Sequence, residues 1–398
     1  MSRRISRYAM IALAGGVALA ASACSSSSGG GTTSASSSAS SRVISAGSDA
    51  SAAGVAAAKA QLAKYQPLVT SFKAPGPALS DPAALRGKTF TYVAAFLEAA
   101  YFQGQVQLIK QAAAVVGMKV SVCDAKGTPT GASSCIMQGV RDKSAGIITD
   151  SIPYDFASNA YAASAAANIP VVVADIAVPT PASLVGHAVT MAFPGDVVAE
   201  LAADEIIDDS SGTANALLVT QDDGGPNVIT QSAMNKEFAA NCPACKITVV
   251  KYHETQLQQL PTLVSTAFLK DPTAKYLFFD YDSPAGPLVY QGMQTAHVAN
   301  VKVVSLGAGL NGLQNISSGK QFADVNTDPA SGAWNEADML FRMITKTGVP
   351  SPDAYQLPIR AFDSSNVAGL PLTQAAYVNG EWFTNGAYQK GYERLWTS

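Results

Sequence analysis

The chain has 398 residues, 48% of them hydrophobic and only 14% charged, so it is too apolar overall to be disordered and long enough for two lobes with their own cores. A formal net charge of −3 and the lack of any long Lys/Arg run argue against nucleic-acid binding. The first residues carry Arg3, Arg4 and Arg7, and residues 8–20 are apolar but too few to span a bilayer. This is the pattern of an export signal over residues 1–23.

Ala21-Ser22-Ala23-Cys24 follows and resembles the bacterial lipoprotein signal. In that signal the cysteine thiol is acylated and becomes the mature N-terminus. Ala21 departs from the Leu usual three residues before the cysteine, and a soluble signal cleaved after Ala23 is the alternative. With acylation, Cys24 anchors the chain at the outer face of the cell membrane. Residues 24–87 then read as a tether and connector. Ser, Gly, Ala and Thr dominate to about residue 54, which predicts a flexible linker. A short helix is expected over 55–65, then an irregular stretch with Pro67, Pro75, Pro77 and Pro82.

The folded part opens at residue 88. Residues 89–95 predict a strand, and Phe102, Val106, Ile109, Ala113 and Val116 recur at helical spacing up to Gly117. Residues 119–123 predict a parallel strand joined by a right-handed crossover. Further strands are expected over 146–149 and 169–174, with helices carrying Ile136, Met137 and Val140 and spanning 156–168. A helix over 195–207 follows. The alternation then restarts, with strands at 215–220, 246–252, 275–279, 301–306 and 322–326. Helices separate them at 227–240, 260–270, 286–296 and 313–318, and a long helix closes the series at 330–347. Strands recur at intervals of roughly 25–30 residues, the mark of doubly wound parallel α/β sheets.

Ligands bind such sheets at the carboxyl ends of the strands. Those ends carry Phe96, Glu98, Tyr101 and Phe102; Asp150, Ser151 and Tyr154; Asp175; Gln221, Asp222 and Asp223; Asp280, Tyr281 and Asp282; then Gly307-Ala308-Gly309 and Asn326 with Thr327. No Lys or Arg stands among them, so a phosphate or carboxylate ligand lacks its usual partner. Carboxylates and aromatic faces suit sugar hydroxyls and C–H surfaces, and they equally suit a small cation. For any one aromatic, packing between loop and helix is as good a reading. For any one Asp the alternative is helix capping, and Asp222 and Asp223 suit a turn.

Five cysteines are present, and an exported chain with four beyond Cys24 suggests disulfides Cys123–Cys135 and Cys242–Cys245. Cys242-Pro243-Ala244-Cys245 has redox spacing but ends a helix, where the dipole works against a thiolate. A structural clip fits better, and no second pair provides a metal site. No Gly-x-Ser-x-Gly elbow or P-loop occurs, and His187, His253 and His297 are scattered, so neither an enzyme nor a cofactor is expected.

From residue 88 onward the order of elements resembles the type I periplasmic binding proteins of the ribose-binding type. The matching stretches are Gly146-Ile147-Ile148-Thr149, Asn168-Ile169-Pro170-Val171-Val172-Val173-Ala174-Asp175, Leu277-Phe278-Phe279-Asp280-Tyr281-Asp282, Gly319-Lys320-Gln321-Phe322-Ala323-Asp324-Val325 and Tyr392-Glu393-Arg394-Leu395-Trp396. The resemblance implies two doubly wound parallel-sheet lobes joined by a three-crossing hinge near 193–195, 326–328 and 364–366. The lobes would be 88–193 with 327–363 and 194–326 with 364–398.

It also implies a monomeric solute-binding lipoprotein that closes on a small ligand, a sugar or other polyol, and delivers it to an ABC permease. The ligand-binding residues implied are Phe96, Tyr101, Phe102, Asp150, Tyr154, Asp175, Gln221, Asp222, Tyr281, Asp282 and Thr327. An Arg of the sugar-binding pattern aligns with Met234 and an Asp with Gly307, and the first loop has Glu98-Ala99-Ala100 in place of Asn-Pro. These departures admit a more apolar solute, and the acidic strand ends a small cation. A sensor that docks on a membrane receptor and a surface enzyme are the alternative functions.

Overall fold

The structure, a computed structural model, describes residues 46–176, 179–223 and 225–397. The export signal, Cys24 and the first part of the tether lie outside the described residues. Among those described, no helix is long and apolar enough to cross a membrane.

Residues 46–54, expected as linker, are helical. Helix α1 (Ala46–Tyr65) packs against α5 (Gly195–Asp209) and α6 (Gly225–Asn241). Ala58 and Leu62 are buried there. Gly54 lies so close to the Asn241 carbonyl that an added Cβ would sit 1.9 Å from its oxygen. Small residues read as linker in a sequence, yet here they let two helix backbones approach.

The first lobe holds β1 (Thr89–Ala94), α2 (Ala100–Val115), β2 (Lys119–Asp124), α3 (Pro129–Arg141), β3 (Ile147–Asp150), α4 (Ser158–Ala166), β4 (Val171–Ala174) and β5 (Ala188–Met191). Its sheet is parallel throughout, in the order β2-β1-β3-β4-β5. Ala94 pairs with Asp150, and Asp150 with Ala174, so Asp150 and Asp175 stand side by side at the carboxyl edge. The second lobe continues from α5 with β6 (Asn215–Gln221), α6, β7 (Lys246–Tyr252), α7 (Leu260–Lys270), β8 (Tyr276–Phe279), α8 (Ala285–Thr295), β9 (Lys302–Leu306), α9 (Leu310–Ser317) and β10 (Ala323–Thr327). The two-lobed, doubly wound architecture is the one the alternation predicts.

Helix α10 (Pro329–Thr345) returns to the first lobe and packs on α2, β3 and β4. Two assignments from the sequence are corrected after it. Residues 359–363, expected in the first lobe, form β11 (Ile359–Asp363), antiparallel to β10 in a second sheet ordered β11-β10-β9-β8-β6-β7. The third crossing is therefore 346–358 rather than 364–366. Beyond α11 (Ser364–Val367), the tail expected on the second lobe keeps Phe383 against Phe362 of β11, but its helices pack on the first. There α12 (Gln374–Val378) lies on α2, and α13 (Ala387–Thr397) on α10 and α2. The reason is aromatic burial: Trp396 stacks on Trp334, with centroids 5.1 Å apart, and Tyr392 on Trp396 at 5.0 Å. Phe72 of the irregular connector meets the edges of Tyr388 and Tyr392. Gly104 leaves room for Tyr377, whose ring would meet a Cβ at 2.7 Å.

Both disulfides form, Cys123–Cys135 and Cys242–Cys245. The first closes a 12-residue separation between β2 and α3. Cys123→Ser is expected to lower unfolding free energy by about 3 kcal/mol, the loop-entropy value for such a loop. Urea denaturation of the oxidised proteins checks it, and equal midpoints would show that the bond constrains nothing.

Candidate functional site

The carboxyl edge of the first sheet meets the lobe crossings in a cavity of about 30 Å³, lined by Tyr101, Gln105, Asp175, Met191, Phe193, Asn326, Thr327, Asp328, Gly332, Glu336 and Leu357, among others. Local structure explains each placement. Asp175 follows β4 with φ +53°, and Ser151 follows β3 with φ +58°, so the chain turns sharply at both strand ends. Tyr101 and Gln105 lie one turn apart on α2, hence on one face. Asp328 caps α10, accepting from the Ala330 amide at 3.1 Å and from the Ser331 hydroxyl. Glu336 projects two turns further along that helix.

The electrostatics are acidic. The Tyr101 hydroxyl donates to Asp175, and behind it the Tyr92 hydroxyl donates to Asp150 at 2.5 Å. Burial, then the neighbouring Asp175, raises the Asp150 carboxyl to about 8. Asp175 is pushed up by burial, and Glu336 well up by burial and then by Asp150 and Asp175. Asp328 is raised by burial to about 6. No Lys, Arg or His is among the cavity-lining residues.

Of the residues expected from sequence, the cavity brings together Tyr101, Asp175, Asn326 and Thr327, with Asp150 directly behind. The others are used elsewhere. Phe102 packs edge-on to Tyr101 at 5.1 Å, against the core. The Tyr154 hydroxyl bonds Thr190 and Thr180 inside the first lobe, and its ring packs on Tyr161. Phe96 lies in the β1–α2 loop, outside the cavity lining.

In the second lobe, Gln221 takes its backbone bond from its amide to Asp280 and donates its side chain to the Asp223 carbonyl. Asp282 accepts from the Ser305 hydroxyl and the Gly309 amide. Its partner Asp324 accepts from the Ala308 amide, and burial followed by Asp282 holds Asp324 well above the carboxylate range. This pair fastens the β9–α9 turn. Tyr281 is half-buried just before it, outside the cavity lining. Met234, aligned with a binding Arg, is a core residue. Asp222 faces His253 Nδ1 at 3.0 Å, and with Asp223 these form the one group at metal-ligand spacing among the described residues. His253 is exposed and the group stands apart from the cavity.

Gln105 and Glu336 were not read from the sequence as site residues. Gln105 is detectable only as the i+4 neighbour of Tyr101, and Glu336 only as one of several polar residues, with Asn335, Asp338 and Arg342, inside one helix.

No family model matches the sequence, and no curated protein does. Solved structures do match. A 5-methylthioribose transporter solute binding protein from Thermotoga lettingae superposes with a TM-score of 0.66 at 14% identity, over 81% of this chain and 99% of that one. A Mycobacterium smegmatis protein solved with β-D-fucofuranose gives 0.62 at 20% identity, over 74% of this chain and 97% of its own. This chain has the type I periplasmic-binding-protein fold. A Caulobacter myo-inositol binding protein shares that fold, with a TM-score of 0.62 at 18% identity over 72% of this chain and 97% of the other. In the periplasmic-binding-protein frame, the Tyr101–Asp175–Glu336 cavity lies where the first sheet's carboxyl edge meets the segments that link the lobes.

Proposed function

We propose that the protein is an extracytoplasmic solute-binding lipoprotein, anchored through Cys24, that captures a small polyol such as a sugar and hands it to an ABC permease. It acts as a monomer without catalysis. The supporting observation is the cavity itself, in which carboxyls and a tyrosine converge at the sheet edge beside two of the lobe crossings. Structural neighbours whose described ligands are 5-methylthioribose, fucofuranose and myo-inositol point to the same ligand class. At about 30 Å³ the cavity admits one small group, not a whole sugar, so the lobes must part to load and close to hold. The solute bridges Tyr101 and Asp175 on the first lobe to Thr327 at the crossing.

Calorimetry of the full chain against pentoses, hexoses, cyclitols and their amino-substituted counterparts tests this. One-to-one binding is expected, and Asp175→Ala is expected to weaken it by about 10–100-fold, the cost of leaving its buried hydrogen-bond partners unmatched. Wild-type affinity in that variant would remove the site, and binding of no member would remove the function.

A further inference from the structure

The polar atoms of the cavity are unevenly matched. Gln105, Asn326 and Glu336 are 1%, 8% and 1% exposed, and each has an oxygen with no hydrogen-bond partner among the described residues: Gln105 Oε1, Asn326 Oδ1 and Glu336 Oε2. One N–H of each of the two amides donates away from these oxygens. Gln105 Nε2 donates to the Pro329 carbonyl at 3.5 Å and Asn326 Nδ2 to the Gly307 carbonyl at 2.7 Å. The Tyr101 hydroxyl is held by Asp175. Three buried acceptors without donors are costly unless something supplies the protons. A hydroxyl has one proton to give and two lone pairs that then need donors of their own. An ammonium has three protons and no acceptor. The cavity's volume of about 30 Å³ is that of one such group.

We propose that the solute enters this cavity with a protonated primary amine, which donates to Gln105 Oε1, Asn326 Oδ1 and Glu336 Oε2. The ligand is then an amino-substituted polyol rather than a neutral sugar. This rests on the solute-binding reading above and names its substrate class. The charge balance agrees. The titratable groups facing Glu336 are Asp150 and Asp175 at the strand ends and the Tyr92 and Tyr101 phenols, with Asp328 lining the same cavity; none is basic. The uncapped amino end of α2 is a partial positive charge nearby, which the Glu336 carboxylate offsets once the ammonium has displaced its proton. Without ligand the carboxyls keep protons, and an arriving ammonium displaces them into solvent. Binding therefore strengthens with rising pH until the amine itself loses its charge.

The test is titration calorimetry of the full chain with matched pairs: D-glucosamine and D-glucose, glucamine and sorbitol, an aminodeoxyinositol and myo-inositol. In at least one pair the amine is expected to bind ten-fold or more tighter than its hydroxyl twin. Its heat should vary with buffer ionisation enthalpy at pH 7, reporting proton release. Glu336→Gln and, separately, Gln105→Met should shrink the preference to within about three-fold, with folding of each variant checked by its melting curve. A hydroxyl twin that binds as well as its amine, without proton release, overturns the inference and leaves solute binding intact. Failure of every member to bind overturns both.

Discussion

The melting temperature of this protein falls as pH rises from 5.5 to 8. The expectation comes from carboxyls buried without cations. Burial raises Asp150, Asp204, Glu205 and Asp280 each to about 8, and Asp328 to about 6. After burial, Asp204 is pushed up further by Glu237 and Glu205 by Asp363. In each case the folded chain holds a proton that the unfolded chain gives up near pH 4. The stability these groups contribute is fully present below that value and is lost as pH rises through the folded pKa. With several groups moving together, the fall is on the order of 5–10 °C between pH 5.5 and 8. Scanning calorimetry across that range checks it. A flat or rising profile would mean that these carboxyls are ionised and paired in the folded chain.

Trp396→Ala is expected to cost about 3–5 kcal/mol. Trp396 is fully buried, stacked between Trp334 and Tyr392 and edge-on to Phe341. Its Nε1 donates at 2.7 Å to Asp338, the carboxylate that also holds the wholly buried Arg342 at 2.6 Å and takes the Tyr355 hydroxyl at 2.9 Å. Truncation thus opens a cavity and strips a donor from a buried ion pair, whose unbalanced charge is costly. Trp396→Phe separates the two effects. It keeps most of the stacking, loses the donor, and should cost about 1–3 kcal/mol. Urea denaturation measures both. A loss under 1 kcal/mol for the alanine variant would mean that the tail is ornamental to the lobe rather than part of its core.

The alternating strands and helices were legible because parallel strands buried on both faces give unbroken apolar runs. Residues 171–174 and 276–279 are of this kind. Two strands escaped. β5 is four residues with a Thr among them. β11 contains Arg360, which reads as a surface residue but is buried, donating to the Gln66 and Trp382 carbonyls. The tail escaped because its partners, Trp334 and Phe341, lie far back in the sequence. At the site, Asp175 and Asp282 both stand at strand ends, and the family resemblance favours Asp175 by its place after the strand. In the fold Asp175 lines the cavity, while Asp282 is committed to Ser305 and the Gly309 amide. Glu336 was hidden because a helix interior gives a polar residue no edge to mark it.

Small-angle scattering of the full chain, with and without a saturating solute that calorimetry shows to bind, tests most directly that ligand is held between closing lobes. The radius of gyration should fall on binding in the wild type, and the fall should vanish in Asp175→Ala at the same solute concentration. An unchanged radius of gyration with the site fully occupied would contradict capture by closure.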